Sequence, residues 1–154
     1  MARDRFLVVI GCQKTKLDAV DKKFRKNILD FINSTAHTYT GVISVVRTRT
    51  NGDRNFVRSG DTIALSTDIY LDYESNNVIE VPGYDVDVKM FRADAHYDII
   101  GISTSASVLC AAMSMYSQGL DVSVLSEYCQ DRKGSNLHKY ALDIMKAYMP
   151  GCVK

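Results

Sequence analysis

Residues 98–129 set the strongest limit on what this chain can fold into. The stretch opens on an apolar run, Ile99, Ile100, Gly101 and Ile102. A small, hydroxyl-rich turn follows: Ser103, Thr104, Ser105, Ala106 and Ser107. An apolar helical pattern then continues to Tyr116, stops at Gly119, and gives way to a second apolar run from Val122 to Leu125. Strand, tight turn, helix and strand in that order make a βαβ unit. Such a unit places its strand-to-helix turn at the carboxyl edge of a parallel sheet, where ligands bind. The start of the helix offers backbone N–H groups and a partial positive charge to a ligand there.

The rest of the chain repeats the alternation. Residues 6–10, Phe-Leu-Val-Val-Ile, are apolar throughout, as expected of a central parallel strand covered on both faces. Leu17, Val20, Phe24, Ile28 and Phe31 then recur at helical spacing, with a basic solvated face between Lys14 and Lys26. This helix is expected to end by Asn33 and Ser34. Residues 42–46 read as the second strand, residues 48–61 as a loop and residues 78–81 as a third strand. A short helix is expected within residues 87–95. Leu137, Tyr140, Ala141, Ile144, Met145 and Tyr148 mark a last helix, stopped by Pro150 and Gly151.

The pattern predicts one domain over residues 1–154: a three-layer α/β/α, doubly wound, mostly parallel sheet of Rossmann type. In such a sheet the site lies where the winding reverses, between the first strand and the strand at Ile99. Residues 11–14 should therefore meet residues 103–107. Arg47 or Arg49, at the end of the second strand, is the nearest expected cation.

At 154 residues, with 46% apolar and 24% charged residues, the chain can bury its own core. No apolar run reaches membrane-span length, and the run ending at Ile10 is too short for a signal peptide. A cytoplasmic protein without membrane contact is expected. Cys12, Cys110, Cys129 and Cys152 have no CxxC spacing, which points to reduced thiols rather than a zinc or redox motif. Net charge is +1, but basic residues concentrate before residue 60 and acidic ones between 61 and 110. Either folding interleaves the two, or complementary patches drive assembly into a homo-oligomer.

The chain resembles the isochorismatase-like cysteine hydrolases, which include nicotinamidases and N-carbamoylsarcosine amidases. The family turn Gly-Val-x-Thr-Asp-x-Cys-Val is matched by Gly101-Ile102-Ser103-Thr104-Ser105-Ala106-Ser107-Val108. The interval from Ser107 to Gly119 equals the family's Cys-to-Gly interval, and Ser126-Glu127-Tyr128-Cys129 stands where the family has Ser-Asp-x-Cys. The opening strand through Gln13 and the segment from His138 to Leu142 are similar as well. Residues 48–97 match poorly.

The resemblance implies an Asp-Lys-Cys triad, in which a thiolate attacks an amide or vinyl-ether-linked substrate and helix-start N–H groups hold the oxyanion. Carried over residue by residue, the aspartate falls on Gly11 and the cysteine on Ser107. The lysine position falls on Val81, and Lys89 is the nearby lysine. A Ser107–Lys89 pair, or Cys12 as a displaced nucleophile, would be needed for catalysis. Against these stand a capping serine, a surface lysine and an ordinary buried cysteine. His37, His96 and His138 lack the Asp-x-His setting of nicotinamidase metal sites, so neither metal nor cofactor is expected.

The leading expectation is thus a catalytically degenerate protein of this fold, acting by ligand binding or assembly. Ser103, Thr104, Ser105 and Arg47 would bind a small carboxylate or phosphate, with plain N-capping by the hydroxyls as the alternative. A second expectation is an active hydrolase of altered mechanism, using Cys12 or Ser107 on a small amide or ester-like substrate. A third is nucleic-acid binding through the basic helix between Lys14 and Lys26. Balanced total charge and the lack of interleaved aromatics argue against it.

Overall fold

Side chains of a strand alternate between the two faces of its sheet, so a strand apolar at every position needs cover on both. The first strand meets that demand in the computed structural model, which describes residues 2–47, 71–81 and 83–154. In β1 (Arg5–Ile10), Leu7 and Val9 enter one apolar cluster with Leu17, Phe24, Ile28 and Ile32. Val8 and Ile10 enter another with Ala111, Ala112, Met115 and Met145. Helices therefore lie on both faces. Burying each such Ile or Leu stabilises the fold by roughly 1.5–3 kcal/mol relative to exposure.

The remaining strands are β2 (Gly41–Arg47), β3 (Asn77–Val81), β4 (His96–Ile102) and β5 (Asp121–Gln130). All are parallel, in the order β3-β2-β1-β4-β5. The chain winds outward from β1 to β3 and then returns to the other side of β1. The β1–β4 boundary is the reversal point, with Leu7 opposite Asp98 and Ile10 opposite Gly101.

Several boundaries differ from expectation. The first helix is two, α1 (Lys14–Asp18) and α2 (Lys22–Thr35). Asp21 separates them: its carboxylate accepts the N–H of Phe24 at 3.2 Å and caps α2. The short helix after β3 is a single 3-10 turn, Val88–Met90. β5 is longer than its apolar run because it bulges. Ile99 faces Val124 while Gly101 faces Cys129, and Tyr128 in the bulge stacks on Phe31 at 4.0 Å. The N–H of Val124 donates to the Cys152 carbonyl at 2.8 Å, and Lys154 N–H donates to the Val124 carbonyl at 2.8 Å, so the C-terminal residues line the outer edge of β5. α3 (Leu109–Ser117) and α4 (Ser135–Tyr148) end near the expected Gly119 and Pro150. The loop expected at residues 48–61 lies outside the described residues.

Charge is interleaved within the chain at several places. Arg3 pairs with Asp121 at 2.7 Å, Arg5 with Asp98 at 2.9 Å and Arg25 with Asp72 at 2.7 Å. The expected basic face is also laced with carboxylates: Lys14 and Arg25 meet Asp18, and Lys26 meets Asp30. None of the described helices is long and apolar enough to cross a membrane.

Candidate functional site

At the carboxyl edge of the sheet, β4 ends at Ile102, a cis peptide leads to Ser103, and a π-helical turn (Thr104–Val108) runs into α3. Across from it, β5 ends in the turn formed by Asp131, Arg132, Lys133 and Gly134 before α4. Two hydrogen bonds tie the two turns together, and a third holds the second turn internally. Ser105 N–H donates to Asp131 Oδ2 at 2.7 Å, Lys133 N–H donates to Asp131 Oδ1 at 2.8 Å, and Arg132 N–H donates to Ser103 Oγ at 3.2 Å. Asp131 is 6% exposed, so its two oxygens depend on these amides for their solvation.

The turns form one wall of a cavity of about 380 Å³. Ile102, Ser103, Ser105, Ala106 and Ser107 line it from the β4 side, and Asp131, Arg132 and Lys133 from the β5 side. Lys16 of α1, Arg47 at the end of β2 and Tyr84 complete the described lining. Arg47 is 8% exposed, with its guanidinium carbon 4.4 Å from the centroid of the Tyr84 ring. Buried Gln13 fixes the backbone beneath it. Its side-chain amide donates to the Arg47 carbonyl at 3.0 Å and accepts the Arg47 N–H at 3.0 Å.

The expected site residues separate into two groups. Ser103, Ser105, Ser107 and Arg47 converge on the cavity. Thr104, Gly11, Cys12 and Lys89 are not among its described lining residues. Thr104 is fully buried and turned away, its Oγ1 2.7 Å from His138 Nδ1. Burial holds His138 below the usual imidazole value, and the nearby Asp131 opposes that only in part. Cys12 lies in the apolar cluster under α2, and burial pushes its thiol well above the ordinary range, with Lys16 opposing the shift. Cys129, buried on the other face, is pushed up to about 12 for the same reason. Neither thiol has the polar, exposed setting of a reactive cysteine. Lys89 is exposed on the 3-10 turn after β3.

Gly11 has φ +65, and a Cβ placed there would strike the carbonyl oxygen of Ile102. The same point is 3.9 Å from Lys16 Nζ. A cation from α1 thus stands beside the position where the resemblance puts an aspartate. The helix-start amides are less available than expected. Asp131 occupies the N–H of Ser105, and the N–H groups of Ala106 and Val108 both bond to the Ser103 carbonyl. An anion in this cavity would be held chiefly by side chains.

Sequence reasoning missed Lys16, Tyr84 and the charged turn after β5. The run Asp131-Arg132-Lys133-Gly134, following the last strand, was the available signal. Among the described residues no group of three or more His, Cys, Asp or Glu side chains could hold a metal ion.

No family model matches the sequence, and no curated protein matches it. Solved structures do match the fold. The nicotinamidase of Staphylococcus aureus superposes with a TM-score of 0.71 at 20% identity, covering 100% of this chain and 98% of its own. An isochorismatase family protein from Desulfovibrio vulgaris gives 0.72 at 14% identity, covering 99% and 94%. The MAR1 ribonuclease of Caenorhabditis elegans gives 0.69 at 12% identity, covering 99% of this chain and 76% of its own. The chain has the isochorismatase-like fold.

Proposed function

We propose that this chain binds a small anionic ligand in the cavity at the β1–β4 reversal point and does not carry out cysteine-hydrolase chemistry. The observation that carries the reading is the make-up of the cavity. Lys16, Arg47, Arg132 and Lys133 line it together with serine hydroxyls, and Asp131, the acidic group of the described lining, is engaged by two backbone amides. Cations and hydroxyl donors around a pocket suit a carboxylate or phosphate.

The chemistry of the cavity supports the second half. A serine hydroxyl must be activated by a neighbouring base to attack. By the resemblance, the nucleophilic cysteine falls on Ser107 and the aspartate on Gly11, where a Cβ would strike the Ile102 carbonyl oxygen. Removing a general acid–base group alone costs roughly 10²–10⁴ in rate.

The test has two arms. Calorimetric titration with acetate and inorganic phosphate should give weak binding that Lys16→Ala and Lys133→Ala each reduce. Assays on nicotinamide and N-carbamoylsarcosine should give no turnover above buffer. Turnover abolished by Ser107→Ala would replace this reading with that of a serine hydrolase, and wild type without anion affinity would remove it.

A further inference from the structure

We infer that the outer face of α4 is a self-association surface, against which a second copy of this chain packs its own α4 in the antiparallel direction. The inference is independent of the anion-binding reading.

The helix itself places the surface. α4 turns Ala141 and Met145 to the core. A helix advances about 100° per residue, so Leu137, Tyr140, Ile144 and Tyr148 gather within about 80° of arc beside that buried side. All four stand in water, at 40%, 61%, 42% and 68% exposure. Among the described residues they are four of the seven large apolar side chains most open to solvent, so the exposed apolar surface is concentrated on this helix rather than scattered. Lys139 and Lys146 fall on the far side of the helix, and Asp143 stands at the rim of the stripe. Enrichment in tyrosine and depletion of charge mark the centre of a protein interface.

Area sets the size of partner. A tyrosine side chain carries roughly 150–250 Å², so at their exposures Tyr140 and Tyr148 together leave about 250 Å² in water. Leu137 and Ile144 enlarge this to the few hundred Å² at which interaction sites begin. A specific interface takes roughly 600–1,000 Å² from each partner. One helix face with its rim reaches the lower part of that range. The dimer is therefore weak and concentration-dependent rather than obligate.

The order of the side chains selects a second copy. A twofold axis crossing α4 midway, level with Leu142 and Asp143, sets Leu137 against Tyr148 of the second copy and Tyr140 against its Ile144. Every contact then lays an aromatic ring on an aliphatic side chain, and each is made twice. Parallel helices in register would set each side chain against its own counterpart instead. The antiparallel arrangement also opposes the two helix dipoles, and a net charge of +1 gives two copies little reason to repel.

Sedimentation equilibrium between about 1 and 200 µM protein should show wild type passing from monomer to dimer. Tyr140→Glu and Ile144→Glu should each weaken dimerisation at least ~10-fold while keeping the wild-type circular dichroism spectrum. Tyr140, the more exposed of the two, keeps the test open if the Ile144 variant fails to fold. Met90→Glu, equally open to water but on the 3-10 turn after β3, should leave the dimer unchanged. Leu137→Lys and Tyr148→Glu then test the pairing. Each alone should weaken the dimer, and the double variant should regain at least ~3-fold over either at low salt, because the antiparallel arrangement brings the two opposite charges together across the interface. Within one helix these positions lie about 16 Å apart, so an ion pair inside a single copy cannot mimic the rescue. A monomer throughout the concentration range would overturn the inference, as would a dimer indifferent to Tyr140→Glu and Ile144→Glu. A double variant no tighter than the single ones would overturn the antiparallel pairing.

Discussion

Gln13 and Arg47 close a ring of two hydrogen bonds at the ends of adjacent strands. The Gln13 side chain donates to the Arg47 carbonyl and accepts from the Arg47 N–H, both at 3.0 Å. A side chain thereby extends the β1–β2 ladder one step past Ile10, and it does so beneath the buried cation of the cavity.

Gln13→Ala should destabilise the protein by about 1–3 kcal/mol, because it leaves a buried N–H and C=O without this partner. Gln13→Glu keeps an acceptor for the Arg47 N–H but loses the donor, and should fall between. Denaturant unfolding of the two variants checks the order. Anion affinity should fall along with stability, since Arg47 loses the support of its backbone.

Gly11→Asp, alone or with Ser107→Cys, should fail to create a hydrolase. At φ +65 the new side chain must displace the Ile102 carbonyl, which belongs to the strand that carries the site. Backbone strain of this kind costs on the order of 1–3 kcal/mol. The expected outcome is a lower Tm and no turnover of nicotinamide by either variant. An active double variant of wild-type stability would mean that the backbone relaxes where this structure places a collision.

Much of the fold was legible because both strand and helix patterns are strong. The uninterrupted apolar run ending at Ile10 required cover on two faces, and the turn from Ser103 to Ser107 marked the carboxyl edge of the sheet. Strand order pointed to Arg47 or Arg49 as the nearest cation; Arg47 lines the cavity, and Arg49 lies outside the described residues. The break between α1 and α2 was hidden because Leu17, Val20 and Phe24 keep helical spacing straight through it, while Asp21 acts locally as a cap. The full length of β5 was hidden because its bulge is held by long-range pairing and by the stack of Tyr128 on Phe31. The site was half legible for a related reason. Lys16, Tyr84 and residues 131–133 approach the serine turn only through the sheet topology, and no spacing in the chain links them to it. Thr104 looked equivalent to its serine neighbours, yet its hydroxyl is committed to His138.

The burial of His138 should make stability respond to pH. Burial depresses the folded-state value below the ordinary 6.5. The unfolded chain therefore takes up the proton first, and the contribution present above 6.5 is lost as pH falls through the folded value. Tm measured from about pH 8 down to about pH 5 should fall more steeply for wild type than for His138→Gln. Thr104→Val should cost about 0.5–1.5 kcal/mol at neutral pH through the lost hydrogen bond. Parallel pH profiles for wild type and His138→Gln would show that His138 protonates without consequence.

The most direct test of the account is a backbone-amide NMR titration of the wild-type protein with inorganic phosphate, repeated on Lys16→Ala. The account predicts saturable shifts concentrated at residues 103–107, residues 131–133 and Arg47, with weaker binding and the same pattern in the variant. Shifts confined to the basic surface of α2, around Lys22, Lys23 and Lys26, or no saturable shifts at all, would contradict it.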